Sequence, residues 1–256
     1  MHIKQQYIKS LLLNKLKAFI IGFAMLNTLW YLAYIIIDRI VMPSPLVVMQ
    51  EIPNLFSLNI HLHFAHSLYR ILAGLFFAML IGLIMGILAT NKTCSKILNP
   101  FIYFTYPIPR VAFLPVIMLV FGLRDMSKII MIVLVIVFPV IIVVRDTVKD
   151  IPKETYNSLI CLGASKLQMF LTVTLPWAFS GILSTLRISL GTSIAILFFV
   201  ETYGTSYGMG FFILDMWQRI NYVRMFAGIV VLSFAGFILF MVVDVLEEVF
   251  LRWKRD

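Results

Sequence analysis

The chain has 256 residues, 61% of them hydrophobic and only 13% charged, with a formal net charge of +9. A soluble domain carries about a quarter charged residues, so a soluble globular fold is excluded. Apolar runs of roughly 20 residues recur instead, each long enough to cross about 30 Å of hydrocarbon as a helix. The positive charge, which in a soluble chain would point to nucleic acid, is accounted for by basic loops on one side of a membrane.

The spacing predicts an all-α membrane protein with six spans, at 18–37, 67–90, 98–121, 129–145, 177–200 and 225–246. Residues 1–17 form a basic segment. The apolar run that follows ends in "IIIDRIVMP" with no small-residue cleavage site, so it reads as a retained first span rather than a signal peptide. The external loop after it closes on "HLHFAH", where His61, His63 and His66 either offer imidazoles to a metal or flank the wet start of the second span. Within that span, Gly82 and Gly86 stand four apart and would let a neighbouring helix approach closely.

The third span is interrupted by "YPIPRVAFLP", which sets Pro107, Pro109 and Pro115 close together. A mid-helix proline costs about 3 kcal/mol, and broken helices persist in bilayers where protein buries them or they line a cavity. A core helix beside a pathway is therefore expected. Arg110 inside the break has two readings: a cation near that pathway, or a bond to the carbonyls the prolines release. Arg187 within the fifth span and Glu201 at its outer end are the other pathway candidates, with Glu201 either pairing with a basic residue or gating the outer mouth. "GTSYG" follows; Gly204, Ser206 and Gly208 match a nucleophile-elbow spacing, which raises a membrane-embedded serine hydrolase as a distant alternative. An elbow requires a strand-to-helix turn, whereas Ser206 follows a span, so Gly204, Gly208 and Gly210 are expected in a flexible external loop re-entering toward the pore.

Six spans leave both termini on one side. Lys4, Lys9, Lys15, Lys17, Lys92, Lys96, Arg145, Lys149, Lys153, Lys166, Arg252, Lys254 and Arg255 lie there, against Arg39, Arg124, Lys128, Arg219 and Arg224 opposite. Thirteen against five makes the first side cytoplasmic. Cys94 and Cys161 would then be cytoplasmic and reduced.

The cytoplasmic segment between the fourth and fifth spans reads "ETYNSLICLGASKLQMFLTVTLP". Tyr156, Leu159, Ile160 and Leu167 recur at helical spacing, and Gly163 interrupts them, permitting a left-handed turn or a close contact. The segment is either a docking element or a re-entry loop. Its glycine, followed after nine residues by "VTLP", resembles the EAA loop of ATP-binding-cassette importer permeases. "HSLYRILAG", "PIPRVAFLPVIMLVFGL" with "SKI", "RISLGTSIAILFFVET", "YGMGFFI" and "VLEEVFLRW" resemble the nitrate/taurine/sulfonate branch of that family. The likeness covers about residues 60–256. It departs at the family's Glu-Ala-Ala, which falls on Asn157, Ser158 and Leu159, with Glu154 one turn too early to replace the acid.

The resemblance implies the type I ABC importer permease (MetI-like) fold. The span reading divides the chain into a basic cytoplasmic segment at 1–17, a first span with its external loop at 18–66, a region at 67–246 that the resemblance makes the core permease domain, and a cytoplasmic tail at 247–256. The loop at about 146–176 would be a coupling helix, with Asn157, Ser158, Leu159, Gly163, Ala164, Val173, Leu175 and Pro176 as its coupling positions. The chain would be no enzyme and hold no cofactor: ATP and Mg would be bound by a separate ATPase subunit in two copies. The absence of any G-x-x-x-x-G-K-[ST] agrees with that division. The other implied partners are a second, identical permease subunit, an external substrate-binding protein and membrane lipid, in the inner membrane, with no nucleic acid. The cargo would be a small solute such as nitrate, a sulfonate, taurine, bicarbonate or a thiamine-precursor pyrimidine. Another importer branch, such as methionine or phosphonate, is the alternative.

Overall fold

The computed structural model describes residues 20–37 and 41–250; the basic segment 1–17 and the last residues of the tail lie outside them. Every regular element among the described residues is helical. Four helices are long and apolar enough to cross a membrane: Ile60–Leu88, Asp125–Lys149, Lys166–Glu201 and Tyr222–Phe250. A bent pair, Lys92–Thr105 with Arg110–Phe121 at 87° to each other, is either one broken span or a re-entrant loop. The first expected span corresponds to the shorter helix Ile20–Ile36. Among the described residues stand four long helices, one bent pair and one shorter apolar helix, so the expected six spans are not matched one for one.

The chain divides into two compact units. The first comprises residues 1–59 and 213–231. It contains α1 (Ile20–Ile36), α2 (Pro45–Glu51), a 3-10 turn over Ile52–Leu58 and the start of the last helix. Ser44 accepts from the Val47 amide and Pro45 occupies the first turn, a favourable start for α2. Trp30 stacks on Phe226 at 5.5 Å and donates to the Pro43 carbonyl. Glu51 Oε1 accepts from Arg224 Nε at 2.7 Å and its other oxygen from Asn54. The Arg224 bond, then the Asn54 bond, hold its carboxyl below the usual glutamate range against a smaller opposing effect of burial. A group with a depressed folded pKa stabilises fully above its unfolded value, and the stability is lost as pH falls through the folded value. The tie is thus expected to survive acidification through the ordinary glutamate range. A nitroxide pair across residues 47 and 223 should stay close there and separate only at lower pH; separation at the ordinary glutamate pKa would refute this.

The second unit comprises residues 60–212 and 232–256. In it stand α3 (Ile60–Leu88), α4 (Lys92–Thr105), α5 (Leu114–Phe121), α6 (Asp125–Lys149), α7 (Lys153–Cys161), α8 (Lys166–Met169) and α9 (Leu175–Glu201), together with the first four residues of α10 (Met209–Gln218) and the part of α11 (Tyr222–Phe250) from residue 232 on. The glycines of α3 set its packing on α6. A Cβ on Gly74 would meet Ile132, one on Gly82 would meet Val140, and one on Gly86 would meet Val144, all within 3 Å. Both members of these pairs rise together along the chain, so the helices run parallel, backbone close to backbone, as small residues permit. On α9 and α11 the indices oppose each other: Gly191 faces Phe240, Ile194 faces Gly236 and Arg187 faces Asp244, so that pair is antiparallel. The core between α3, α6 and α9 is filled by Ile71, Leu75, Met131, Ile136, Leu190 and Leu197.

Candidate functional site

Between α6 and α9 the chain makes an elbow whose shape is local chemistry. After α7 the Gly163 amide donates to Ile160 and the Ala164 amide to Leu159, the paired bonds of a Schellman motif. Gly163 carries the left-handed φ of +75° this requires, and a Cβ there would meet nothing within 4 Å. Its glycine therefore answers to backbone conformation, and not to a close intramolecular contact. Ser165 and Gln168 then close a capping box that starts α8. From Phe170 to Thr174 the helix widens to a π-turn. Pro176 lacks an amide, and its ring would clash with the carbonyl four residues back in a regular α-turn. Beyond it α9 continues, so that 166–201 is one helix of 36 residues, beginning well before the expected 177.

The elbow has two faces. Tyr156 and Leu159 pack on the core, the former sharing a hydrogen bond with Thr174 at 2.9 Å, and Val173 is buried. Leu175 and Ala164 are half-buried. Facing outward are Asn157, Ser158, Gly163 and Pro176 with Glu154. Among them stand Ile160, Leu162, Leu167 and Leu171, large apolar side chains 56%, 82%, 67% and 51% exposed.

The break between α4 and α5 holds Pro107 and Pro109, both exposed. Arg110 caps it: Nη2 donates to the Tyr106 carbonyl at 3.2 Å and the Thr105 carbonyl at 3.5 Å, carbonyls left over where the helix stops. Its guanidinium lies 4.5 Å from the Phe138 ring centroid on α6. Of the two sequence readings, this geometry matches the bond to released carbonyls. Arg187 likewise has a partner, Asp244 on α11 at 3.2 Å.

Glu201 is fully buried and sits in a polar cluster at the opposite end of the unit from the elbow. Arg70 Nη1 donates to it at 2.6 Å, Ser67 Oγ at 2.8 Å and the Gly210 amide at 2.9 Å. Arg70 also donates through Nε and Nη2 to Asp125 Oδ1 and through Nη1 to the Tyr207 carbonyl. Lys128, buried on α6, donates to the carbonyls of Leu123 and Gly204. Two cations and two carboxylates thus join α3, α6, α9 and the 202–208 segment. Close approach demands two glycines there: a Cβ on Gly208 would lie 2.5 Å from the Glu201 carboxyl carbon, and one on Gly210 2.5 Å from the Phe198 backbone carbonyl oxygen. Gly210 belongs to α10 rather than to a loop.

The histidines do not converge. His63 is buried with Nδ1 3.1 Å from the Gly208 amide, His66 stacks on Tyr207, and His61 is exposed. Ser206 lies between two helices, without the strand a nucleophile elbow needs. Sequence reasoning missed Arg70, Lys128, Asp125 and Ser67 as Glu201's company. A signal was there: His63, Ser67, Arg70 and Gly74 repeat at four, three and four residues, a single polar-to-small stripe on α3.

Residues 78–255 match the family model for the binding-protein-dependent transport system inner membrane component. The taurine transport system permease protein TauC of Escherichia coli (strain K12) is 30% identical over 242 residues, covering 91% of this chain and 88% of that protein. The formylaminopyrimidine transport permease protein ThiX of Halalkalibacterium halodurans is 26% identical over 235 residues, with 91% and 94% covered. Among solved structures, an inward-facing MetNI methionine ABC transporter chain superposes with a TM-score of 0.65 at 19% identity, covering 78% of this chain and 99% of that one. At that identity the likeness concerns the fold.

Proposed function

This chain belongs to the binding-protein-dependent transport inner-membrane component family, and from that membership we propose how its parts serve an ATP-driven importer. It is a multi-pass permease subunit of the inner membrane and not itself an enzyme. We assign the α7–α8 elbow to the contact with a separate ATPase subunit, which binds ATP and Mg. The observation that carries this is the elbow's exposed fringe of Ile160, Leu162 and Leu167, held by a motif that fixes its direction. An apolar fringe beside Lys153 and Lys166 is placed where basic residues mark the cytoplasm, so the elbow and both termini face inward and the Glu201 cluster outward. Two such permeases with two ATPases alternate between inward- and outward-open forms, and an external protein delivers the solute. Nucleotide shifts that equilibrium only by binding one arrangement better. Asn157, standing where relatives carry the motif acid, leaves the contact to packing and hydrogen bonds.

The solute is of the nitrate, sulfonate, bicarbonate or thiamine-precursor kind rather than methionine or a phosphonate, and among these the similarity to a taurine permease over nine-tenths of the chain favours a small sulfonate.

Co-purification with the neighbouring ATPase tests the elbow. Leu162→Asp places a charge in the contact and is expected to weaken ATPase retention at least tenfold, about 1.4 kcal/mol, or to leave hydrolysis uncoupled from transport. Gly163→Asn, whose residue visits left-handed backbone readily, should behave nearly as the native chain. Gly163→Val, which does not, should resemble Leu162→Asp. Equal retention and coupling in all three would remove the elbow from the contact.

A further inference from the structure

The cation at the inner end of this unit that sequence reasoning left in a loop is Arg145, one turn from the end of α6. It borders a groove of about 890 Å³ between α4 and α6, within the size range of small-molecule sites. One wall is a single stripe of α4, Asn99, Tyr103 and Tyr106, at spacings of four and three. Arg145 Nη1 donates to Asn99 Oδ1 at 3.2 Å, which orients the amide and makes its Nδ2 donors available. Nε is held by Asp146, whose carboxylate is half exposed to solvent, while the Arg145 side chain is 20% exposed. Tyr106 and Pro107, at the far end of the groove, belong to the 87° break.

We propose that this groove is an oxyanion subsite on the inner half of the pathway, taking a small organic sulfonate or carboxylate, with Arg145 and Asn99 receiving its oxygens and the Tyr106 ring its carbon body. The assignment rests on the permease reading above. Two observations support it independently. A guanidinium beside an oriented amide is the donor set that suits a trigonal or tetrahedral oxyanion. The irregular backbone of 106–109, whose prolines are exposed on this chain, is tolerated at membrane depth against protein or a watery cavity and not against lipid; a dissolved solute in such a cavity is the occupant we commit to. Arg110 does not compete for this role, since it is not on the groove's lining.

Tyr103 is 81% exposed on the groove wall and suits a reporter. The assembled permease–ATPase complex carrying Tyr103→Cys, in phosphatidylcholine nanodiscs, would be treated with anionic sulfonatoethyl methanethiosulfonate or its cationic trimethylammonioethyl counterpart. Labelling would be read site by site by mass spectrometry, with Cys94, partly exposed at the start of α4 and outside the elbow, as internal reference. The anionic reagent is expected to label position 103 about fivefold faster than the cationic one, relative to that reference, because Arg145 Nη2 and the Asn99 amide remain to receive its sulfonate oxygens. Millimolar ethanesulfonate should slow it and ethylammonium should not. Arg145→Gln should abolish preference and protection together, whereas Arg145→Lys should keep the preference.

Three results overturn the proposal. Equal rates for the two reagents in the Tyr103→Cys complex do so without any arginine variant. So does a preference that ethanesulfonate leaves untouched but added phosphatidylglycerol removes, which would make the groove a lipid-headgroup site. Failure of both reagents to reach position 103, while Cys94 reacts, would make it an interface between permease copies. Nucleotide-driven transport by the same preparation separates this from the broader reading: a complex that still couples but shows no anion preference loses the subsite and remains a permease.

Discussion

Glu201→Leu is expected to destabilise the protein by about 3–5 kcal/mol, because it leaves the Arg70 guanidinium buried with half its anionic company removed. Arg70 is only 4% exposed at its side chain and Glu201 not at all, so water cannot substitute for the lost carboxylate. Ser67 Oγ and the Gly210 amide lose their acceptor in the same step. Glu201→Gln, which keeps an acceptor without the charge, should fall between leucine and the native residue. The double variant Arg70→Met/Glu201→Leu should cost clearly less than the two single changes summed, since neither charge is then stranded. Denaturant unfolding of the purified chain in micelles measures all four. Strict additivity would mean that the two groups contribute separately and that the cluster is no unit.

A second large effect is expected where α3 meets α6. A Cβ on Gly82 would stand 2.4 Å from one methyl and 2.8 Å from the Cβ of Val140. Gly82→Leu should therefore push the two helices apart and cost about 3 kcal/mol, at the upper end for overpacking. Gly82→Ala should cost less, and Val140→Ala in the same chain should return part of the loss by vacating that space. Rescue at Val140 is the discriminating result. If Val140→Ala instead adds its own cavity penalty in full, the close approach at Gly82 is not what Gly82→Leu disturbed.

Much of this architecture is written in local signals. The proline triplet marked the bent pair, and Gly82 with Gly86 marked a face of close approach. Gly163 marked a turn, and the structure supplies its left-handed φ. What escaped was decided by partners remote in sequence. Arg70 and Glu201 are 131 residues apart, and neither position names the other. Lys128 was placed in an outer loop because lysine is expensive in a membrane, yet its ammonium is buried on two backbone carbonyls. The helices also outrun their apolar stretches: α6 begins at Asp125 rather than 129 because the acid suits the first turn's dipole and pairs with Arg70. Arg110 shows the converse, a charge whose position suggested transport and whose bonds repair a helix end.

The continuity of residues 166–201 has a mechanical side. Thirty-six residues of helix make a strut of about 54 Å, anchored at one tip in the four-charge knot and at the other in the elbow. Tilting such a strut by about 5° carries a free tip through roughly 5 Å, several times the movement a packed side chain absorbs. The π-widened turn at 170–174 is the softest place along it, close to the elbow and far from the knot. Load applied at Lys166 is thus divided at once. Part is taken up by flexure within the first two turns, and the remainder is delivered, undiminished by any further joint, to Glu201.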